Sequence, residues 1–117
     1  MKYTVEVKPT DKPREWVVTK GFSYGPHVIP IGFTFDGASI PIGLRWLFPH
    51  GGNKFAPACL HDYLYRTGVV SKEEADRLFL SAMLENGVKP WKAKSMYHAV
   101  RLCGGPAWRK RRREDSA

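Results

Sequence analysis

His61 and Asp62 are neighbours in a stretch, residues 55–66, that reads as helix. An imidazole suits proton transfer near neutral pH, and a carboxylate is a hard oxygen ligand for a cation. Adjacent side chains on a helix diverge by about 100°, so the pair is not a base with its own orienting acid. It can divide the labour of one site, His61 acting on a proton and Asp62 holding a cation. Tyr65 follows His61 by four residues and shares its face one turn on.

The orienting acid is expected from the next helix. Only Thr67-Gly68-Val69-Val70 intervene, which makes the two helices antiparallel neighbours. His61 lies as far before the turn as Asp76 lies after it, so both stand roughly 7–8 Å from it. Asp76 also borders the apolar stripe of Ala75, Leu78, Phe79, Ala82 and Met83. A carboxylate there needs partners, because burying it unpaired is costly. His61 and Tyr65 are the expected ones, and a carboxylate-held imidazole is the arrangement of a general base. The competing reading is a network that only stitches two helices together.

Asp36-Gly37-Ala38-Ser39 offers a carboxylate and several carbonyls in a glycine-assisted turn. That is half of an oxygen-ligand calcium site, with Asp62 as the other half. An Asx-turn closing a strand is the alternative. His27, His50 and His98 could extend His61, Asp62 and Asp76 into a divalent-metal centre, against their ordinary reading as surface or core histidines.

The elements that must position these residues follow from periodicity. Residues 3–8 alternate as a strand, residues 15–19 form a second, and residues 28–35 a third with Pro30 marking an edge. Residues 36–54 are a long segment punctuated by Gly and Pro, with a short helix expected over 44–48 and Trp46, Leu47 and Phe48 to pack it. Ser71-Lys72-Glu73-Glu74 is a capping box opening the second helix, which stops at Asn86-Gly87. A third helix starts at Pro90 and ends near Cys103, before Gly104-Gly105-Pro106. The expected fold class is α+β: a small N-terminal antiparallel sheet, a long ordered loop, then a three-helix C-terminal part.

The 117 residues make one domain, expected over 1–108, with a basic flexible tail over 109–117. Hydrophobic residues at 43% argue against wholesale disorder. The net charge is +8, and Arg109-Lys110-Arg111-Arg112-Arg113 supplies much of it. Trp108 beside that run suits an anionic phospholipid membrane; nucleic acid uses the same charges, and a solvated tail is the plain alternative. Two cysteines, Cys59 and Cys103, are expected as buried thiols rather than a disulfide. The alternating N-terminus lacks a secretory signal, and no run is long enough to span a bilayer, so the expected location is the cytoplasm where the chain is made. No nucleophile elbow, phosphate loop or dinucleotide fingerprint is present.

Gly32-Phe33-Thr34-Phe35-Asp36-Gly37-Ala38-Ser39-Ile40-Pro41, His61-Asp62-Tyr63-Leu64-Tyr65 and Ala75-Asp76-Arg77-Leu78-Phe79, in that order, resemble an uncharacterised family of small phage proteins. It is domain-of-unknown-function family 1353. The resemblance implies a phage or prophage origin, a host-cytoplasm or virion-associated location, and phage virion components as partners. Residues 55–65 are also similar to the active-site helix of phospholipase A2, most of all its compact bacterial forms. That similarity implies His61 as the base activating water, Asp62 and Asp36 as calcium ligands, and Tyr65 bonding a second carboxylate, Asp76. The family's cysteine three residues before the histidine is here Ala58, with Cys59 one later. The function expected is a calcium-dependent lipid ester hydrolase. The rivals are a non-enzymatic virion or assembly protein and a small host-directed binding protein.

Overall fold

The computed structural model describes residues 2–13, 15–36 and 55–116. The fold is α+β, as the periodicities predict. Among the described residues five short strands come first: β1 (Glu6–Pro9), β2 (Glu15–Lys20), β3 (Phe22–Tyr24), β4 (His27–Ile29) and β5 (Thr34–Asp36). The helices of the described residues are α1 (Phe55–Thr67), α2 (Lys72–Glu85), α3 (Pro90–Cys103) and α4 (Gly105–Ser116). Among the described residues, no helix is long and apolar enough to cross a membrane.

β1, β2 and β5 form an antiparallel sheet in the order β1-β2-β5, and β3 pairs with β4 as a separate hairpin. The single extended segment expected over 28–35 is broken in two. Pro30 has no N–H for a ladder, and Gly32 turns the chain with a φ of 91° that residues with a Cβ rarely adopt. Phe33 donates back to the Pro30 carbonyl across that turn at 3.2 Å.

One apolar cluster joins Val18, Ile29 and Phe35 of the sheet to Cys59, Leu60, Leu64 and Tyr65 of α1 and Ala75 and Ala82 of α2. A second joins Phe79 and Met83 of α2 to Ala93, Met96 and Val100 of α3. Helix α2 is thus the shared layer, and Asp76 sits on it between the two clusters. Burying a side chain such as Leu60 or Phe79 stabilises by about 1.5–3 kcal/mol. Ser71 caps α2, its hydroxyl accepting from the Glu74 N–H at 3.1 Å, while the Glu74 carboxylate pairs with Arg77. Asn86 and left-handed Gly87 (φ 86°) end that helix as expected. Asn86 also ties down the N-terminus through both main-chain polar groups of Tyr3, at 2.6 and 2.8 Å.

The C-terminus departs from expectation. Residues 109–116 continue a fourth helix instead of leaving the domain as a tail. Gly104 closes α3, its N–H bonding the Val100 carbonyl at 2.8 Å. Pro106 then falls in the first turn of α4, where a missing N–H costs nothing. The same Gly-Gly-Pro run therefore ends one helix and begins another. The short helix expected over 44–48, and the loop around it, lie outside the described residues.

Candidate active site

Asp76 is the hub. Its side chain is fully buried on α2, and both oxygens are engaged. Oδ1 accepts from the Tyr65 hydroxyl at 2.7 Å and lies 2.7 Å from His61 Nε2. Oδ2 accepts from Lys72 Nζ at 2.8 Å, with Arg101 Nη1 at 3.7 Å. Burial pushes the Asp76 carboxyl upward. The hydrogen bonds from His61, Lys72 and Tyr65 outweigh it and hold the carboxyl below the ordinary carboxylate range. An ionised carboxylate only accepts, so His61 Nε2 carries the proton toward it and Nδ1 is left as the ring's acceptor. The imidazole, 14% exposed, is packed at 4.2 Å from the Tyr65 ring and 4.8 Å from the Phe79 ring. Burial, then the bond to Asp76, pushes the Tyr65 hydroxyl well above its ordinary pKa, so it stays a donor.

The i, i+4 placement of His61 and Tyr65 and the matched heights across the turn bring these three residues together, as the spacing predicts. Spacing did not lead to the two cations. Lys72 lies four residues before Asp76 on the same helix, a readable pairing signal. Its ammonium also bonds the carbonyls of Val100 at 3.4 Å and Arg101 at 3.2 Å, in the last turn of α3. A cation there also favours the negative end of that helix. Arg101 reaches Asp76 only because α3 returns along α2.

Asp62 points away from this hub. It is 7% exposed, with Arg66 Nη2 one turn on at 3.9 Å from Oδ2. Arg66 in turn lies over the Phe33 ring at 5.4 Å, on the approach to β5. Asp36 ends β5, paired with Glu15. Its side chain and Gly37-Ala38-Ser39 lie outside the described residues. Among the described residues no group of three or more His, Cys, Asp or Glu side chains is placed to hold a metal ion. His27 sits in β4 and His98 is exposed on α3, while His50 lies outside the described residues. Cys59 is a free, buried thiol whose pKa burial raises. The side chain of Cys103 is outside the described set.

Helix α4 completes the surroundings. Trp108 meets the Tyr65 ring edge-on at 5.3 Å, and Arg112 bonds the carbonyls of Tyr65 and Arg66 at 2.9 and 3.2 Å.

A family model described as "Protein of unknown function (DUF1353)" matches residues 14–100. The chain belongs to this family. His61, Asp62, Tyr65 and Asp76 lie inside the matched span, whereas Gly104, Trp108 and Arg112 of this DUF1353 chain lie beyond it. The chain is 38% identical over 82 residues to "Uncharacterized protein y4jT" of Sinorhizobium fredii. The match covers 68% of the chain and 24% of that protein, so the chain spans about a quarter of the length of this relative. No solved structure matches.

Proposed function

We propose that this chain is a calcium-dependent ester hydrolase acting on phospholipid, with His61 as general base. The observation that carries the reading is His61 Nε2 at 2.7 Å from a buried, ionised Asp76 whose same oxygen is held by Tyr65. That leaves Nδ1 to take a proton from water. The water oxygen bonds to the ester carbonyl carbon, Asp76 stabilises the imidazolium, and His61 returns the proton to the departing alcohol as the ester C–O bond breaks. Asp62 supports the calcium assignment as a buried, hard oxygen donor beside the base; Asp36 is proposed as its companion. Calcium bound there would polarise the carbonyl and stabilise the oxyanion. The resemblance of the motifs supports a phage or prophage setting.

Hydrolysis of phosphatidylglycerol vesicles in millimolar calcium tests the reading. Turnover that drops by about 10²-fold or more in folded His61→Ala supports it. No wild-type release of fatty acid under those conditions overturns it.

A second reading has its own support. Lys72 and Arg101 occupy the other oxygen of Asp76, so the cluster joins α1, α2 and α3 through one carboxylate. A virion or assembly protein would need no more than that.

A further inference from the structure

Tyr65 is buried, and its hydroxyl must reach Asp76 Oδ1. Its ring can leave that position only by turning about its two side-chain bonds into whatever packs around it. Residues 104–112 meet it on three sides. At Gly104 the main chain lies against the phenol: a Cβ there would stand 2.5 Å from Oη and 3.3 Å from Cζ. The Trp108 edge bounds the ring. Arg112 holds the Tyr65 carbonyl, and its guanidinium lies 4.4 Å from the Trp108 ring centroid. This carbonyl is one of those a helix end leaves without an intrahelical donor.

We infer that the α3 cap and the first two turns of α4 form a clamp on the proton-handling site: Gly104, Trp108 and Arg112 are positioning residues for Tyr65, and through its hydroxyl for the Asp76 oxygen that bonds His61. Oδ1 accepts from two groups at 2.7 Å each. If the phenol swings away, Oδ1 loses one of its two bonds while Oδ2 keeps Lys72, and the carboxylate is freer to turn toward that ammonium. His61 Nε2 then loses its fixed acceptor, and both neutral tautomers of the ring become populated. All three positioning residues lie past residue 100, where the family match ends. The inference concerns hydrogen-bond geometry, so it fails or stands separately from ester hydrolysis.

Ring 15N NMR of the full chain, recorded above the ordinary imidazole pKa and assigned with His61→Ala, reads the tautomer directly. The wild type is expected to show the Nε2–H form of His61 alone. Tyr65→Phe removes the hydroxyl and sets the full effect, a loss of that single signature. Gly104→Ala and Trp108→Leu are expected to reproduce the Tyr65→Phe spectrum. Arg112→Gln is expected to move part-way toward it, and Arg112→Lys to restore the wild-type ring signals. Wild-type His61 signals in Gly104→Ala and Trp108→Leu, even with a lowered Tm, would overturn the clamp and leave α4 a stabilising role only. An unchanged ring in Tyr65→Phe overturns it equally. If the Gly104 and Trp108 variants do not fold, the Arg112 pair decides, and identical wild-type spectra for Gln and Lys count against the clamp.

Discussion

Arg112 and Tyr65 are 47 residues apart in sequence, and the guanidinium of one donates to the main-chain oxygen of the other at 2.9 Å. Arg112 also bonds the Arg66 carbonyl and so places a cation at the C-terminus of α1. A freely mobile tail could be removed at little cost to stability. With this contact in place, Arg112→Gln is expected to destabilise by about 1–2 kcal/mol. Deleting residues 109–117 removes the same cap and should lower Tm at least as much. Thermal unfolding followed by circular dichroism measures both, and a truncated chain melting with the wild type would contradict the docked helix.

Asp76 makes the fold sensitive to acid. Its carboxyl sits below the ordinary value of 3.8, so it binds protons more weakly folded than unfolded. That stability is fully present above the ordinary carboxylate pKa and is lost as pH falls through the depressed one. Asp76→Asn removes the charge while leaving the partly buried Lys72 beside it, a loss of about 3 kcal/mol, at the low end of the usual cost of breaking a buried pair. The variant should therefore be less stable at neutral pH and show a flatter acid limb. Urea unfolding across pH 2–7 tests this, and parallel acid limbs would rule Asp76 out as the group responsible.

Tyr65 predicts the opposite limb. Its hydroxyl is raised above the ordinary 10.0 by burial and by the bond to Asp76. The folded chain holds that proton more tightly, so stability is full below the ordinary pKa and declines as pH rises past it. Tyr65→Phe should lower stability at neutral pH by about 1 kcal/mol and soften the alkaline decline. Equal alkaline unfolding of the two proteins would show that another group controls it.

Much of this hub was legible because it rests on two regular periods. The four-residue step from His61 to Tyr65 and the equal distances from the turn depend only on helix geometry and a short connection. The Lys72–Asp76 pair obeys the same step, yet Lys72 belongs to the capping sequence and reads there as part of a helix start. Arg101 could not be found that way, since its approach depends on where α3 packs. The basic run hid the most. Five consecutive cations read as solvated, and the run alone cannot show which of them turns inward. The signal was the four-residue step from Trp108 to Arg112, which puts indole and guanidinium on one face. The calcium half-site over 36–39 falls mostly outside the described residues.

Calcium is expected to stabilise the chain by binding only its folded form. At a hundredfold excess over the dissociation constant the gain is about 2.7 kcal/mol. Asp62→Asn should abolish the increase in Tm while leaving the His61–Asp76 contact in place, because Asp62 lies on another face of α1. Thermal shift in calcium against chelator measures it. An identical Tm in both buffers would remove Asp62 from the list of ligands.

The outward cations of α4 carry the last prediction. Arg112 is turned inward and Arg111 lies 3.4 Å from Glu114, while Arg109, Lys110 and Arg113 are exposed. Steps of three and four residues place these three on one side of the helix. That side is turned away from Tyr65, so an anionic bilayer gathered there would hold the domain at its surface without touching the Tyr65 contact. Each basic residue near such a surface is worth about 1 kcal/mol, screened over about 8 Å at physiological salt. Changing all three to Gln should therefore weaken binding to phosphatidylglycerol vesicles by roughly a hundredfold, taking 1.4 kcal/mol per tenfold. The change should leave Tm nearly untouched, because Trp108 and Arg112 are kept. Vesicle sedimentation at low and physiological salt, with phosphatidylcholine as control and duplex DNA as competitor, gives the measurement. Undiminished vesicle binding by the triple variant would sink the lipid role, and displacement of vesicles by DNA at equal charge concentration would reassign the face to nucleic acid.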